Sequence, residues 1–133
     1  MSILIVEDHK ALRETFQDVL RQSGYQVRAA ANGRAALARI GKSRPSIVFV
    51  ELTLPGMSGL EFINALRAIP AYSTIPVVAM AARGDTDVPT STCQNVTIVC
   101  KPFSTQTAIH LIEAHAAKST SLRRGRRARA IAH

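Results

Sequence analysis

Short apolar runs alternate with stretches of helical spacing along most of this chain. Ile3–Val6 is continuously apolar, as a strand buried on both faces must be. From His9 to Gln22, Leu12, Phe16, Val19 and Leu20 recur at helical spacing, with Asp8 as the expected cap and Gly24 as the stop. Tyr25–Ala30 reads as a second, weaker strand. Asn32-Gly33 opens a short helix through Ile40, which Gly41 is expected to end. Pro45 precedes a third strand, Ser46–Val50. After the breaker-rich turn Pro55-Gly56-Met57-Ser58-Gly59 comes a helix carrying Leu60, Ile63, Leu66 and Ile69, stopped by Pro70. Val77–Ala81 and Val96–Cys100 supply strands four and five, and a last helix is expected from Ser104 to about Ala117. Such alternation predicts an α/β fold, a doubly wound parallel sheet with helices on both faces. One crossover breaks the pattern. Arg83–Asn95 holds Gly84, Pro89 and a single strong apolar residue, Val88, so a short or irregular helix is expected there.

Three of the strand-like runs end in charge: Ile3–Val6 in Glu7-Asp8, Ile47–Val50 in Glu51, and Val96–Cys100 in Lys101-Pro102. In an open parallel sheet the carboxyl ends of the strands share one crevice, where ligands bind. Three carboxylates and one ammonium there describe a site for a cation and an anionic group. Three carboxylates also repel, so one protonates or a cation joins them. Glu51 is long enough to reach Lys101 directly and neutralise the pocket without metal. A Mg²⁺ ion would instead use one or two of the carboxylates, a backbone carbonyl and waters. The expectation is that no cofactor is required and that Mg²⁺ binds weakly, in the millimolar range or not at all.

Composition narrows the class. The chain has 133 residues and 47% apolar content, enough for one domain with a core. Its apolar N-terminal run is only four residues long and lacks a basic flank, unlike a signal peptide, and nothing approaches the roughly 20 apolar residues of a membrane span. A cytoplasmic protein without membrane partners is expected. Cys93 and Cys100 form no CxxC pair and read as reduced thiols, Cys100 within the core. His9 is expected at an exposed helix start. His110 and His115 are wrongly spaced for a shared metal and are expected on the surface, and Met57 as a lid over the crevice.

The net charge of +8 is uneven. Residues 118–133 carry Lys118, Arg123, Arg124, Arg126, Arg127 and Arg129 with no acid, leaving a net of +2 on residues 1–117. The expected division is a folded domain over 1–117 and a basic tail over 118–133. No aromatic residue interleaves those arginines and the tail is too short for a helix-turn-helix, so its polyanion contact would be weak and non-specific.

The acidic pair Glu7-Asp8, the turn Leu54-Pro55-Gly56-Met57-Ser58-Gly59, the strand entry Ile75-Pro76-Val77-Val78 and Lys101-Pro102-Phe103 occur in order at characteristic spacing. Over residues 2–117 they resemble the receiver domain of two-component response regulators. The resemblance implies a flavodoxin-like five-stranded sheet of order 2-1-3-4-5, a phosphorelay role without enzymatic activity of its own, and a cis Lys101-Pro102 peptide. It implies as partner a sensor histidine kinase, a phosphotransferase or another regulator. In that family the acid pair and an aspartate at the end of strand three bind Mg²⁺, and the aspartate accepts a phosphoryl group; carried over, this implies Asp8, Glu51 and the backbone carbonyl of Thr53 as the metal's ligands here. A Ser or Thr after strand four and an aromatic residue on strand five then relay the change. The matching positions here are Glu51, Ala81 and Ile98, all altered together. An atypical receiver is therefore expected, acting by phosphorylation-independent protein–protein interaction. The alternatives are a receiver still weakly responsive to phosphate or Mg²⁺ through the acidic pocket, and a nucleic-acid-associated protein using its Arg-rich tail.

Overall fold

The computed structural model describes residues 1–82 and 95–116. The chain runs β1 (Ser2–Val6), α1 (Lys10–Gln22), β2 (Gln26–Ala30), α2 (Gly33–Lys42), β3 (Ile47–Glu51), α3 (Gly59–Ala68), a 3₁₀ turn (Pro70–Tyr72), β4 (Val77–Ala81) and β5 (Val96–Cys100). A last helix, α4, covers 105–116. All strand pairs are parallel and the order is β2-β1-β3-β4-β5. The expected sheet is the one found. The irregular crossover and the basic tail fall on residues 83–94 and 117–133, outside the described residues, as does Cys93.

Burial explains why the central strands read as unbroken apolar runs. Every residue of β3 and β4 is buried, because α2 and α3 cover one sheet face and α1 lies on the other. Leu4, Val6, Val48, Val50, Ala79 and Ala81 point to the first face, where Ala36, Ile40, Phe62, Ile63 and Leu66 fill the space between helices and sheet. Phe49 points the other way, edge-on to Phe16 of α1 at 5.2 Å between ring centroids. Phe103 meets the same Phe16 ring at 5.8 Å. Aromatic pairs at such angles add about 0.5–1.5 kcal/mol to their burial.

Several local expectations are corrected. His9, not Asp8, caps α1: its Nδ1 accepts the Leu12 N–H at 3.3 Å. The reason lies in β1, whose ladder continues one step past Val6 when the Glu7 N–H donates to the Ala30 carbonyl. The helix start shifts accordingly, and the Asp8 side chain is left at the rim. Leu12 sits in the first helical turn, beyond the ends of the strands, and is 52% exposed. Gly24 does stop α1, with a φ of 95° that only glycine adopts without penalty. Gly41 does not stop α2, which runs on to Lys42; the extended Ser43 and the approach to Pro45 end it. Cys100 is exposed rather than core, because β5 is an edge strand. Ile98 and Cys100 pair with Ala79 and Ala81 but lie one strand further out, where burial falls away. His115 is buried, not on the surface, since it shares the stripe of Ala108 and Ile112 along α4.

Candidate functional site

The strand ends bring Glu7, Glu51 and Lys101 together. Glu51 closes β3, and the Leu52 N–H bonds to the Met80 carbonyl at 3.0 Å, so the end of β3 is held against β4. The Lys101 N–H donates to the Ala81 carbonyl at 2.8 Å, which extends the β4–β5 ladder to the base of the lysine. The Lys101-Pro102 peptide is cis. From that base the ammonium reaches back across two strands. Lys101 Nζ pairs with Glu7 Oε2 at 2.9 Å and with Glu51 Oε2 in direct contact. Glu7 and Glu51 are 4% and 5% exposed, and the Lys101 side chain 24%. The other oxygen of Glu7 accepts the His9 N–H at 3.4 Å.

Neighbouring backbone sets these positions. Gly59, the first residue of α3, presses directly on β3: a Cβ there would overlap the Glu51 carbonyl oxygen and the Leu52 Cα. Its N–H bonds to the Leu52 carbonyl at 2.9 Å. Ser58 Oγ caps α3 by accepting the Glu61 N–H at 3.1 Å, which fixes the turn after Glu51. On the β1 side, Arg13 Nη1 donates to the carbonyls of Glu7 at 3.0 Å and Asp8 at 3.3 Å, clamping the acidic loop from α1. Arg13 was not singled out by motif. The available signal is a cation one helical turn after the cap, facing back along the loop. Met57 packs against the start of α2, close enough that a Cβ on Gly33 would meet its sulfur at 2.8 Å, and lies half-buried against the core cluster.

The electrostatics follow from counting charges. One ammonium faces two buried carboxylates, so the fully ionised cluster carries a surplus negative charge. Burial pushes the Glu51 carboxyl above its ordinary 4.5, and the neighbouring Glu7 charge adds to the rise against the pull of Lys101. Burial alone would lower Lys101. Its hydrogen bonds and charge contacts with Glu51 and Glu7 outweigh that and hold its pKa above 10.5. The lysine stays charged and Glu51 is the group that yields a proton site.

The remaining sequence candidates are distributed around this cluster. Asp8 is exposed at the rim and enters neither ion pair. Thr53 is exposed on the turn after β3. Ala81 is buried at the end of β4 and offers no hydroxyl, while Ile98 is 38% exposed on the edge strand. Among the described residues no three His, Cys, Asp or Glu side chains converge as a cation cage. Of Asp8, Glu51 and Thr53, only Glu51 is buried, and its carboxylate faces the Lys101 ammonium. The five tail arginines Arg123, Arg124, Arg126, Arg127 and Arg129 lie outside the described residues.

Comparison with known proteins bears on this geometry. The family model of the response regulator receiver domain matches residues 3–113. Sporulation initiation phosphotransferase F of Bacillus subtilis (strain 168) is 37% identical over 86 residues, covering 65% of this chain and 68% of that protein. Sensory transduction protein RegX3 of Mycobacterium tuberculosis (strain ATCC 25618 / H37Rv) is 39% identical over 82 residues, 62% of this chain but only 35% of the relative. Among solved structures, a putative response regulator from Chloroflexus aurantiacus J-10-fl superposes with a TM-score of 0.79 at 30% identity, covering 87% of this chain and 97% of that one. A CheY-like receiver domain from Methylobacillus flagellatus gives 0.76 at 30% identity, covering 86% and 98%. No helix among the described residues is long and apolar enough to cross a membrane.

Proposed function

Because this chain belongs to the response regulator receiver family, we propose that it is an atypical receiver of two-component signalling whose phosphorylation switch is disabled. It acts by protein–protein contact that does not depend on phosphorylation, with a sensor histidine kinase, a phosphotransferase or another regulator as partner. The observation that carries this reading is the ion pair from Lys101 to Glu51, at the position where the family resemblance puts the acceptor aspartate.

Phosphoryl transfer depends on positioning and electrostatic stabilisation. Glutamate carries its carboxylate about 1 Å further than aspartate would, and a displacement of that size costs on the order of a hundredfold in rate. Ala81 removes the hydroxyl donor for an equatorial oxygen, a loss of about 3 kcal/mol where comparable donors are deleted. The cation that would meet a phosphoryl group is already held by two carboxylates. Nor does Glu51 serve as a built-in phosphoryl mimic. It offers one charge at most against about two, and neither Ala81 nor the exposed Ile98 can read it. Mg²⁺ binding is weak, in the millimolar range or below detection, since Glu51 must leave Lys101 to coordinate it.

A second reading rests on Asp8, whose exposed carboxylate remains available at the rim and leaves a slow phosphate or Mg²⁺ response open. Incubation with acetyl phosphate and Mg²⁺ followed by intact-mass measurement decides between them. No phosphoryl mass is expected on the native chain, and Glu51→Asp is expected to gain it without a conformational response. Stoichiometric modification of the native chain establishes the second reading.

A further inference from the structure

Between Asp18 and Glu51 the chain contains six cations, Arg21, Arg28, Arg34, Arg39, Lys42 and Arg44, and no acid. Folding places Arg21 in the last turn of α1 and the other five on the edge strand β2, on α2 beside it and on the loop after α2, while β3 goes to the interior. Among the described residues the ion pairs are those of Lys101, so these six cations have no carboxylate partner there. Arg21, Arg28 and Arg44 donate to the backbone carbonyls of Val27, Ser43 and Ala71. Arg28 thereby sits at the C-cap of α2, next to Lys42. Arg34, Arg39 and Lys42 are exposed. At about 100° per residue they fall within roughly 140° of one helix face, opposite the buried Ala36 and Ile40.

Helix stability does not explain this pattern. Cations in the last turn, Arg39 and Lys42, complement the helix dipole, but Arg34 stands in the first turn, where positive charge is unfavourable and no acid offsets it. Nor is there an acidic residue in α2 to form an i,i+4 pair.

We propose that the solvent face of α2, with the adjoining β2 edge, is a docking surface for the phosphate backbone of duplex nucleic acid, bound without sequence preference. Unpaired guanidinium groups suit phosphate through bidentate hydrogen bonds. A duplex presents one charge per about 1.7 Å, so a ten-residue helix of about 15 Å spans several phosphates. The exposed positions between the cations on α2 are Ala38 and Gly41, which gives no apolar face to enter a lipid surface. A second copy is disfavoured as occupant by the net charge of +8. The surface lies within residues 26–44 and is independent of the Arg-rich tail and of the state of Glu51.

Fluorescence anisotropy of the full chain with a labelled duplex of random sequence, titrated across salt concentrations, tests this. The native chain is expected to bind with an affinity that falls steeply with salt. Each phosphate contact contributes about 0.9 to the logarithmic slope, so Arg34→Gln/Arg39→Gln/Lys42→Gln should lower its magnitude by about 2 to 3 and weaken low-salt binding about tenfold or more. None of these three side chains holds a structural hydrogen bond given above, and an unchanged thermal melt verifies the fold. Arg34→Lys/Arg39→Lys should bind like the native chain. Replacing the five tail arginines by Gln should leave the α2-dependent part of the slope in place. The proposal is overturned if the α2 variant binds as the native chain does, or if only the tail variant loses binding. It is equally overturned if vesicles of anionic phospholipid compete better than duplex, or if sedimentation shows the chain docking on itself instead.

Discussion

Lys101→Met removes the cation that two buried carboxylates share, and its cost can be worked from the site. Breaking a fully buried pair by deleting one partner costs about 3–5 kcal/mol, because a desolvated charge is left behind. Here the lysine side chain is 24% exposed, and Glu51 can relieve the surplus charge by taking up a proton. We expect a loss of about 2–3 kcal/mol at neutral pH. For a fold of this size that corresponds to a fall in Tm of about 6–12 °C. Urea unfolding at fixed m-value reads the difference directly. Its pH dependence has a definite sign. A carboxyl whose folded pKa is raised contributes stability that is present below the unfolded value, 4.5, and lost as pH rises through the folded value. Deleting Lys101 removes the pull that lowers Glu51 and raises it further, so the deficit of the variant should be small in acid and grow toward neutrality. A loss below about 0.5 kcal/mol, typical of an exposed ion pair, or one independent of pH, refutes the reasoning.

Other outcomes follow from the same contacts. Glu51→Gln keeps an acceptor for the Lys101 ammonium and leaves Glu7 as its charge partner. Stability at neutral pH should therefore change by less than about 1 kcal/mol, and the Glu51 part of the acid-side pH dependence should vanish in urea titrations. Lys101, raised above 10.5, stabilises the native chain below that pH. The gap between native chain and Lys101→Met should thus narrow in alkali as the lysine titrates, as followed by thermal melts. Gly59→Ala forces a methyl into the Glu51–Leu52 backbone and should cost about 1–3 kcal/mol by the same unfolding measurement, whereas Gly41→Ala, with open space around it, should not destabilise the fold.

The sheet was readable because β1, β3 and β4 are buried on both faces and must be apolar throughout. The edge strand β5 misled for the same reason in reverse. Cys100 continues an apolar run but has no strand beyond it to pack against. His115 illustrates a second gap: its burial follows from the Ala108 and Ile112 stripe, which becomes decisive only once the helix phase is known. At the crevice the reach of a glutamate toward Lys101 followed from one extra methylene. Which member of Glu7-Asp8 turns inward did not. Successive residues of an extended chain point to opposite sides, so the choice depends on where β1 stops, and the bond from Glu7 N–H to the Ala30 carbonyl decides it. Gly59 was legible as a turn residue, but its contact with the β3 backbone is a long-range fact.

If Glu51 is one pole of a closed charge cluster, the pocket has no vacancy for a phosphoryl group. Backbone amide spectra recorded while beryllofluoride and Mg²⁺ are added measure this most directly. The amides of Glu51 to Leu54, Ala81 and Lys101 should remain in place at concentrations that saturate an aspartate-bearing pocket. Saturable shifts at those positions, spreading along β4 and β5, contradict it.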